Sequence, residues 1–358
     1  MTYCTLFHHP QQNFHQNPEA TTMYLTMMPA PSHPGRRALL RATLCAAVLA
    51  AGPALAESFP AKPIRLVVPA PPGGGTDGMA RLTANALTES ARWTLVPDNL
   101  PGAGGNIGFD AAFKAPKDGY TLAMGESSNM VINQYLYGRI PFQIERDMQP
   151  IALVARVPLV LIVSSSGPHT SMAALVQAGK KGSLSFASSG NGTLAHLVGE
   201  SWKRKAGLDM LHVPYRGAAP ALTDLIGGQV DLFFASVPVA LPMVQGGKVR
   251  ALAVTAAERV PLLKDVPTMV EAGFSQMEAS VVFGLVGPAG IPAPLVARIN
   301  AETNKALQRP AAAAQLSAMG AERIPAGWTG DAEAFARVLR EERAKWAPVV
   351  KASGATVD

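Results

Sequence analysis

The chain has 358 residues, 48% of them hydrophobic, with 31 basic and 25 acidic side chains and two cysteines. That length and apolar share support a sizeable buried core and favour two lobes over one. The net charge of +6, with no Lys/Arg clusters interleaved with aromatics, argues against a nucleic-acid surface and suits small anionic ligands.

Residues 1–35, rich in His, Gln, Asn, Pro and Met, read as a non-native or mis-annotated extension without a fold, translation starting at Met23, Met27 or Met28. Residues 36–56 read as a signal peptide: Arg36, Arg37 and Arg41 form the basic start, Leu39 to Leu55 is apolar, and Ala54-Leu55-Ala56 is an A-x-A cleavage site. An uncleaved anchor is the alternative, against which stand Gly52-Pro53 and the small residues at the cleavage site. The paired arginines leave the Sec and twin-arginine routes both open. Cleavage near Ala56 removes Cys4 and Cys45 and, with them, three basic and one acidic side chain, leaving 302 residues with a net charge of +4 and no disulfide. Later apolar runs such as Val157 to Val163, interrupted by Pro158, are strand-sized, so nothing else is expected to span a membrane.

Ile64 to Val68 predicts a strand that breaks into Pro69-Ala70-Pro71-Pro72-Gly73-Gly74-Gly75-Thr76-Asp77 and opens onto a helix carrying Met79, Leu82, Ala86 and Leu87 on one face. Glycine amides and a helix N-terminus meeting at one point make an anion cradle. The alternative is a tight connection with Thr76 or Asp77 as N-cap. Leu95-Val96 begins a second strand before Pro101-Gly102-Ala103-Gly104-Gly105-Asn106-Ile107-Gly108, and Tyr120 to Met124 a third, ending at Gly125-Glu126-Ser127-Ser128-Asn129, a loop with free hydroxyls. Leu184 to Ala187 leads into Ser188-Ser189-Gly190-Asn191-Gly192-Thr193 and a helix with Leu194, Leu197, Val198 and Trp202 on one face. A helix from Ala218 to Ile226, strands Val230 to Phe234 and Val249 to Val254, and a last helix with Phe335, Val338, Leu339, Glu342 and Trp346 along one side complete the pattern, with Glu341 and Lys345 paired at i,i+4. Strands alternating with helices predict α/β units around largely parallel sheets, and the polar loops fall beyond strand C-termini, where such sheets bind ligands. The runs Ile151 to Val163 and Val281 to Val286 are the hinge candidates.

Catalytic chemistry is sparse. No G-x-S-x-G, H-E-x-x-H or G-x-x-x-x-G-K-[ST] motif occurs, and Ile107 stands where a dinucleotide fingerprint beginning at Gly102 needs its third glycine. After the signal only His169, His196 and His212 remain, far apart and without metal-ligand spacing, so each reads first as structural. His196, in the first turn of a loop-facing helix, alone keeps a functional reading, as the base of a serine-loop hydrolase or transferase. The hydroxyls of Ser127, Ser128, Ser188 and Ser189 equally suit neutral donors to a carboxylate, and binding fits them better. Arg216 is either an ion-pair partner for the ligand or a brace, and Asp77 either recognises an ammonium group or caps its helix.

Taken in order, Pro69 to Asp77, Asp98-Asn99, Pro101 to Gly108, Asp118-Gly119-Tyr120-Thr121-Leu122, His212 to Gly217, Gly227-Gly228-Gln229-Val230-Asp231 and Asp265-Val266-Pro267-Thr268 resemble the Bug-type solute receptors of tripartite tricarboxylate transporters, periplasmic binding proteins of Gram-negative bacteria. The resemblance implies an α/β, two-lobed periplasmic binding protein of the type II, Venus-flytrap kind, with a mixed, mostly parallel sheet in each lobe. Lobe one would combine residues 57–158 with 283–358, and lobe two would be residues 159–282. The ligand contacts it implies are Gly74, Gly75, Thr76 and Asp77, Ser127 and Ser128, then Ser188, Gly192 and Thr193, with Ser236 a weaker transfer. It further implies a periplasmic monomer that closes on a small organic carboxylate and hands it to a membrane permease or a sensor, without cofactor, metal or catalysis. Departures from the family pattern are Ala70 and Val282 at positions often aromatic, Leu100 for a common arginine and Gln134 within a usual Asn-Pro pair. Ala70 would widen one wall of the cleft.

Overall fold

The structure, a computed structural model, describes residues 59–182, 184–322 and 330–357, all within the compact unit 57–358. The extension, the signal peptide and both cysteines lie outside the described residues.

Alternation of buried side chains turns the first apolar run into β1, Ile64–Val68. Ile64, Leu66 and Val68 pack into one apolar cluster and Val67 into another on the opposite face, as the two-residue period of a strand requires. The chain continues through α1 (Gly75–Ala91), β2 (Leu95–Asn99), α2 (Asn106–Phe113), β3 (Thr121–Glu126), a π-helical turn Ser128–Ile132, α3 (Asn133–Leu136) and α4 (Ile144–Asp147). Then come β4 (Met148–Ser164), α5 (Met172–Lys181), β5 (Leu184–Ser188), α6 (Leu194–Ala206), β6 (Met210–Pro214), α7 (Ala218–Ile226), β7 (Leu232–Ser236), α8 (Val237–Gln245) and β8 (Val249–Val254). The last elements are β9 (Ser280–Pro288), α9 (Ala293–Leu307), α10 (Pro310–Ala318) and α11 (Ala332–Ser353). Among the described residues no helix is long and apolar enough to cross a membrane.

The strands follow the order β2-β1-β3-β9-β4-β7-β5-β6, with β8 also on β4. β4 changes partner along its length. Met148 to Pro158 pairs antiparallel with β9, ending at Pro158↔Ser280, whereas Leu159 to Ser164 lies between β7 and β8. The βαβ units supply the parallel pairs β1–β2, β1–β3, β5–β6 and β5–β7. The two pass-through strands contribute the antiparallel ones, so each half of the sheet is mixed in even measure. Thr255 fastens the changeover: fully buried, it accepts the Leu159 N–H at 2.8 Å and donates to the Ala279 carbonyl, tying β4 to the segment that enters β9.

α11 buries Phe335, Val338, Leu339, Glu342 and Trp346, and the acid on that apolar side is satisfied by the Trp346 indole N–H at 2.8 Å. In place of the expected Glu341–Lys345 pair, Lys345 donates to the Glu278 carbonyl. β7 runs two residues further than its apolar pattern suggests, to Ser236, because it pairs with β4 as far as Leu159↔Ser236.

Candidate functional site

The glycine turn after β1 is held from beneath. Gly74, in extended conformation, is the N-cap of α1 and brings no side chain to its amides. Neither Thr76 nor Asp77 is the N-cap, as the alternative reading had it. Asp77, three residues into α1, reaches back to the Gly73 N–H at 2.9 Å, in the manner of the rear half of a capping box. Its carboxylate also receives Arg81 Nε at 2.9 Å and Asn99 Nδ2 at 3.0 Å. These donors, Arg81 foremost, lower its pKa to about 2. Asp77 is thus the buried clasp of the cradle.

The second glycine loop supports the first. A Cβ on Gly105 would stand 3.0 Å from the Pro69 carbonyl, and one on Gly108 would meet the Leu100 carbonyl at 2.8 Å. Only glycine lets the start of α2 seat against Pro69.

The third loop is less free than its hydroxyls suggest. Ser127 is fully buried and accepts the Val282 N–H at 2.8 Å, joining β3 to β9. Glu126, the last residue of β3, receives the Thr76 hydroxyl on Oε2 at 2.7 Å and bonds to Ser128 as well. Enclosure by protein pushes the Glu126 carboxyl above the usual carboxylate range.

In the other half of the sheet, Ser188 ends β5 and its hydroxyl lies 2.9 Å from the Gly190 carbonyl and 2.7 Å from His212 Nε2. His212 stacks on His196 with ring centroids 3.7 Å apart and planes within 6°, and His196 Nδ1 accepts the Gly192 N–H at 3.1 Å. Burial lowers the pKa of His196 to about 4; burial, then the neighbouring His196, lowers that of His212 to about 3. Both rings are neutral struts that shape the 188–193 loop. Gly192 is one point where the halves meet: a Cβ there would fall 1.8 Å from Leu136 Cδ1 of α3.

Gly74, Thr193 and Ser236 are the N-caps of α1, α6 and α8, which begin beyond strand ends, and none of these helix starts receives a side-chain hydrogen bond from its cap; the same holds for α2, α3, α4, α7, α9 and α10. Thr193 turns its hydroxyl to the Gly190 carbonyl at 2.8 Å instead. By contrast Ser171 and Asp331 cap α5 and α11 in the ordinary way, accepting from Ala174 and Ala334.

A model of the family described as tripartite tricarboxylate transporter family receptor matches residues 79–355. The chain belongs to this receptor family. BugT of Bordetella pertussis strain Tohama I is 35% identical to the receptor over 308 residues, 85% of this chain and 93% of BugT. Among solved structures, R. palustris Rpa4515 with adipate is 35% identical with a TM-score of 0.76, covering 84% of this chain and all of that one. The periplasmic binding protein BugD is 32% identical with a TM-score of 0.73, covering 83% and 99%. The receptor therefore has the periplasmic binding protein fold expected from its sequence blocks.

Of the ten expected site residues, the structure brings Gly74, Gly75, Thr76 and Ser128 to one cluster, in which Asp77 and Ser127 are braces. Ser188, Gly192 and Thr193 form a second cluster across from Leu136, and Ser236 heads α8. Sequence reasoning passed over Glu126 and the His196–His212 stack. An acid at a strand end among hydroxyls was the available signal for the first. For the second it was His212 in a strand beside β5, where Phe186↔His212 is a paired position. Among the described residues, no group of three or more His, Cys, Asp or Glu side chains is placed to hold a metal ion.

Proposed function

We propose that the receptor captures a small organic carboxylate between two lobes and delivers it to a membrane permease of the tripartite type, as a periplasmic monomer cleaved near Ala56. The observation that carries this reading is that the glycine-bearing loops after β1 and β5 each lead into a helix start without a side-chain cap, at Gly74 and Thr193, with a third such start at Ser236 after β7. Their first-turn amides have no intrahelical partner and carry the positive end of the helix dipole, so an anion is the complement they lack. Gly74 and Gly75 let it approach the backbone beside the Thr76 and Ser128 hydroxyls bound to Glu126, and Ser188, Gly192 and Thr193 close the loop on the other side. Adipate in the related Rpa4515 structure supports the ligand class. The partner change of β4 at Pro158/Leu159 supports a lobe boundary after residue 158. The pairing of β9 from Ser280 onward supports placing the return crossing just ahead of 283.

The serine-enzyme reading has less to stand on. Ser188 pairs with His212, not with His196, and a ring with its pKa lowered to about 3 is a poor general base at neutral pH.

Calorimetric titration with adipate and a series of shorter dicarboxylates, with small-angle scattering on the same samples, tests the proposal. Stoichiometric binding of unchanged acid with a fall in radius of gyration is expected. Absence of binding across the series, or turnover of a bound acid, overturns it.

A further inference from the structure

The cradle already holds a carboxyl. Thr76 Oγ1 donates to Glu126 Oε2 at 2.7 Å, and Ser128 bonds to the same group, so the hydroxyls expected to serve the ligand are held by a resident acid. No cation compensates Glu126 among the described residues that act on it. The charged side chains near the start of α1, Asp77 and Arg81, are bound to each other at 2.9 Å. Opposite Glu126 on β9 stands Phe283, and Asn129 uses its side chain on the Glu126 backbone N–H. A ligand carboxylate arriving at the start of α1 therefore meets a resident acid in the same small space. Two carboxylates within hydrogen-bond range do not both stay ionised; one proton is shared between them.

The geometry points to Glu126 as a ligand-contacting residue that holds the incoming carboxylate in its own protonated form, donating its O–H, so that each ligand captured takes up one proton from solvent. This rests on the carboxylate-receptor reading. Enclosure without a neighbouring cation already biases the carboxyl toward the neutral form. Dissociation constants then rise up to about tenfold for each pH unit above the Glu126 midpoint. A monocarboxylate or dicarboxylate end group is the matching ligand chemistry, because an ammonium group would require the ionised acid instead.

The test uses the exported chain labelled with carbon-13 at glutamate carboxyls, with Glu126→Gln to assign the resonance. In the free protein the Glu126 signal is expected to titrate above the midpoint of free glutamate. Calorimetry with adipate at about pH 6.5 and 8.5, in buffers of differing ionisation enthalpy, should show uptake approaching one proton and binding weaker by about tenfold or more at the higher pH. Glu126→Gln should lose the uptake and flatten the pH dependence to that of adipate alone. A free-glutamate midpoint, or adipate binding without proton uptake, overturns the proposal and leaves the receptor reading standing. Tighter binding of amino-bearing acids at high pH, lost in Glu126→Gln, overturns it in favour of an ionised Glu126. If no carboxylate binds at either pH, the receptor reading falls and the proposal with it.

Discussion

Substituting Gly192→Ala separates a backbone cost from an effect on the approach of the two sheet halves. The added Cβ would lie 1.8 Å from Leu136 Cδ1, whereas carbon atoms in contact sit about 3.5–4.0 Å apart. Either Leu136 turns its Cδ1 aside within its buried site or the loop and α3 part, by up to about 2 Å. The residue also has φ +72°, which costs a side chain about 1–2 kcal/mol. In the ligand-free protein the halves can part, so the melting temperature should fall by only about 2–6 °C, the backbone cost alone. In the adipate complex the parting opposes closure, and affinity should drop about tenfold or more, equal to about 1.4 kcal/mol. Gly190→Ala is the control: it too has positive φ, at +145°, but its Cβ would meet the Tyr215 carbonyl at 3.6 Å and nothing across the halves. Calorimetry and scattering on both variants decide. If Gly192→Ala binds adipate and compacts as the parent does, the Gly192–Leu136 contact does not limit closure and the reasoning is refuted.

Other perturbations follow from the same geometry. Thr255→Val keeps the shape but leaves the Leu159 N–H and the Ala279 carbonyl without their hydroxyl, so denaturant melts should show a loss of about 1–3 kcal/mol; no loss would mean that the changeover is held elsewhere. Asp77→Ala frees the Gly73 N–H and should lower stability by about 1.5–3 kcal/mol while weakening adipate binding; unchanged affinity would remove Asp77 as the cradle's clasp. His196 and His212, held to about 4 and about 3, stay neutral in the folded chain while the unfolded chain protonates below about 6.5. Their contribution is therefore complete above that pH and is lost as the pH falls toward the folded values, at up to about 1.4 kcal/mol per unit for each ring. Urea melts at pH 7 and pH 5 should differ on the order of 2–4 kcal/mol, and His212→Gln should roughly halve the slope; a flat profile would show that the rings are not neutral struts.

The elements legible in the sequence were those whose signal is local. Alternation at Ile64 to Val68 and the helical spacing of Leu194, Leu197, Val198 and Trp202 depend on neighbours in the chain, and all these side chains are buried as expected. What the sequence left unread depends on distant segments. β9 lies over a hundred residues beyond the β3 and β4 strands it separates, and no local pattern orients it, so the even mixture of parallel and antiparallel pairs was not legible. The site was recognised as a series of loops, but the roles within it depend on contacts between them. Ser127 reads as a free hydroxyl until Val282 is seen to donate to it. Glu126 reads as one more loop residue until Thr76 is found on its carboxyl.

The single strand β4, shared by both halves of the sheet, makes the molecule a lever. A change of angle at Pro158/Leu159 is smallest beside β4 and grows toward the outer strands, which the strand order places at β2 and β6. At about 4.8 Å per strand, β2 lies roughly 19 Å from β4, so a tilt of about 10° displaces it by about 3 Å. If capture tilts the halves as proposed, a protein that touched only those outer strands would feel it as a shift of that size without reaching the cleft.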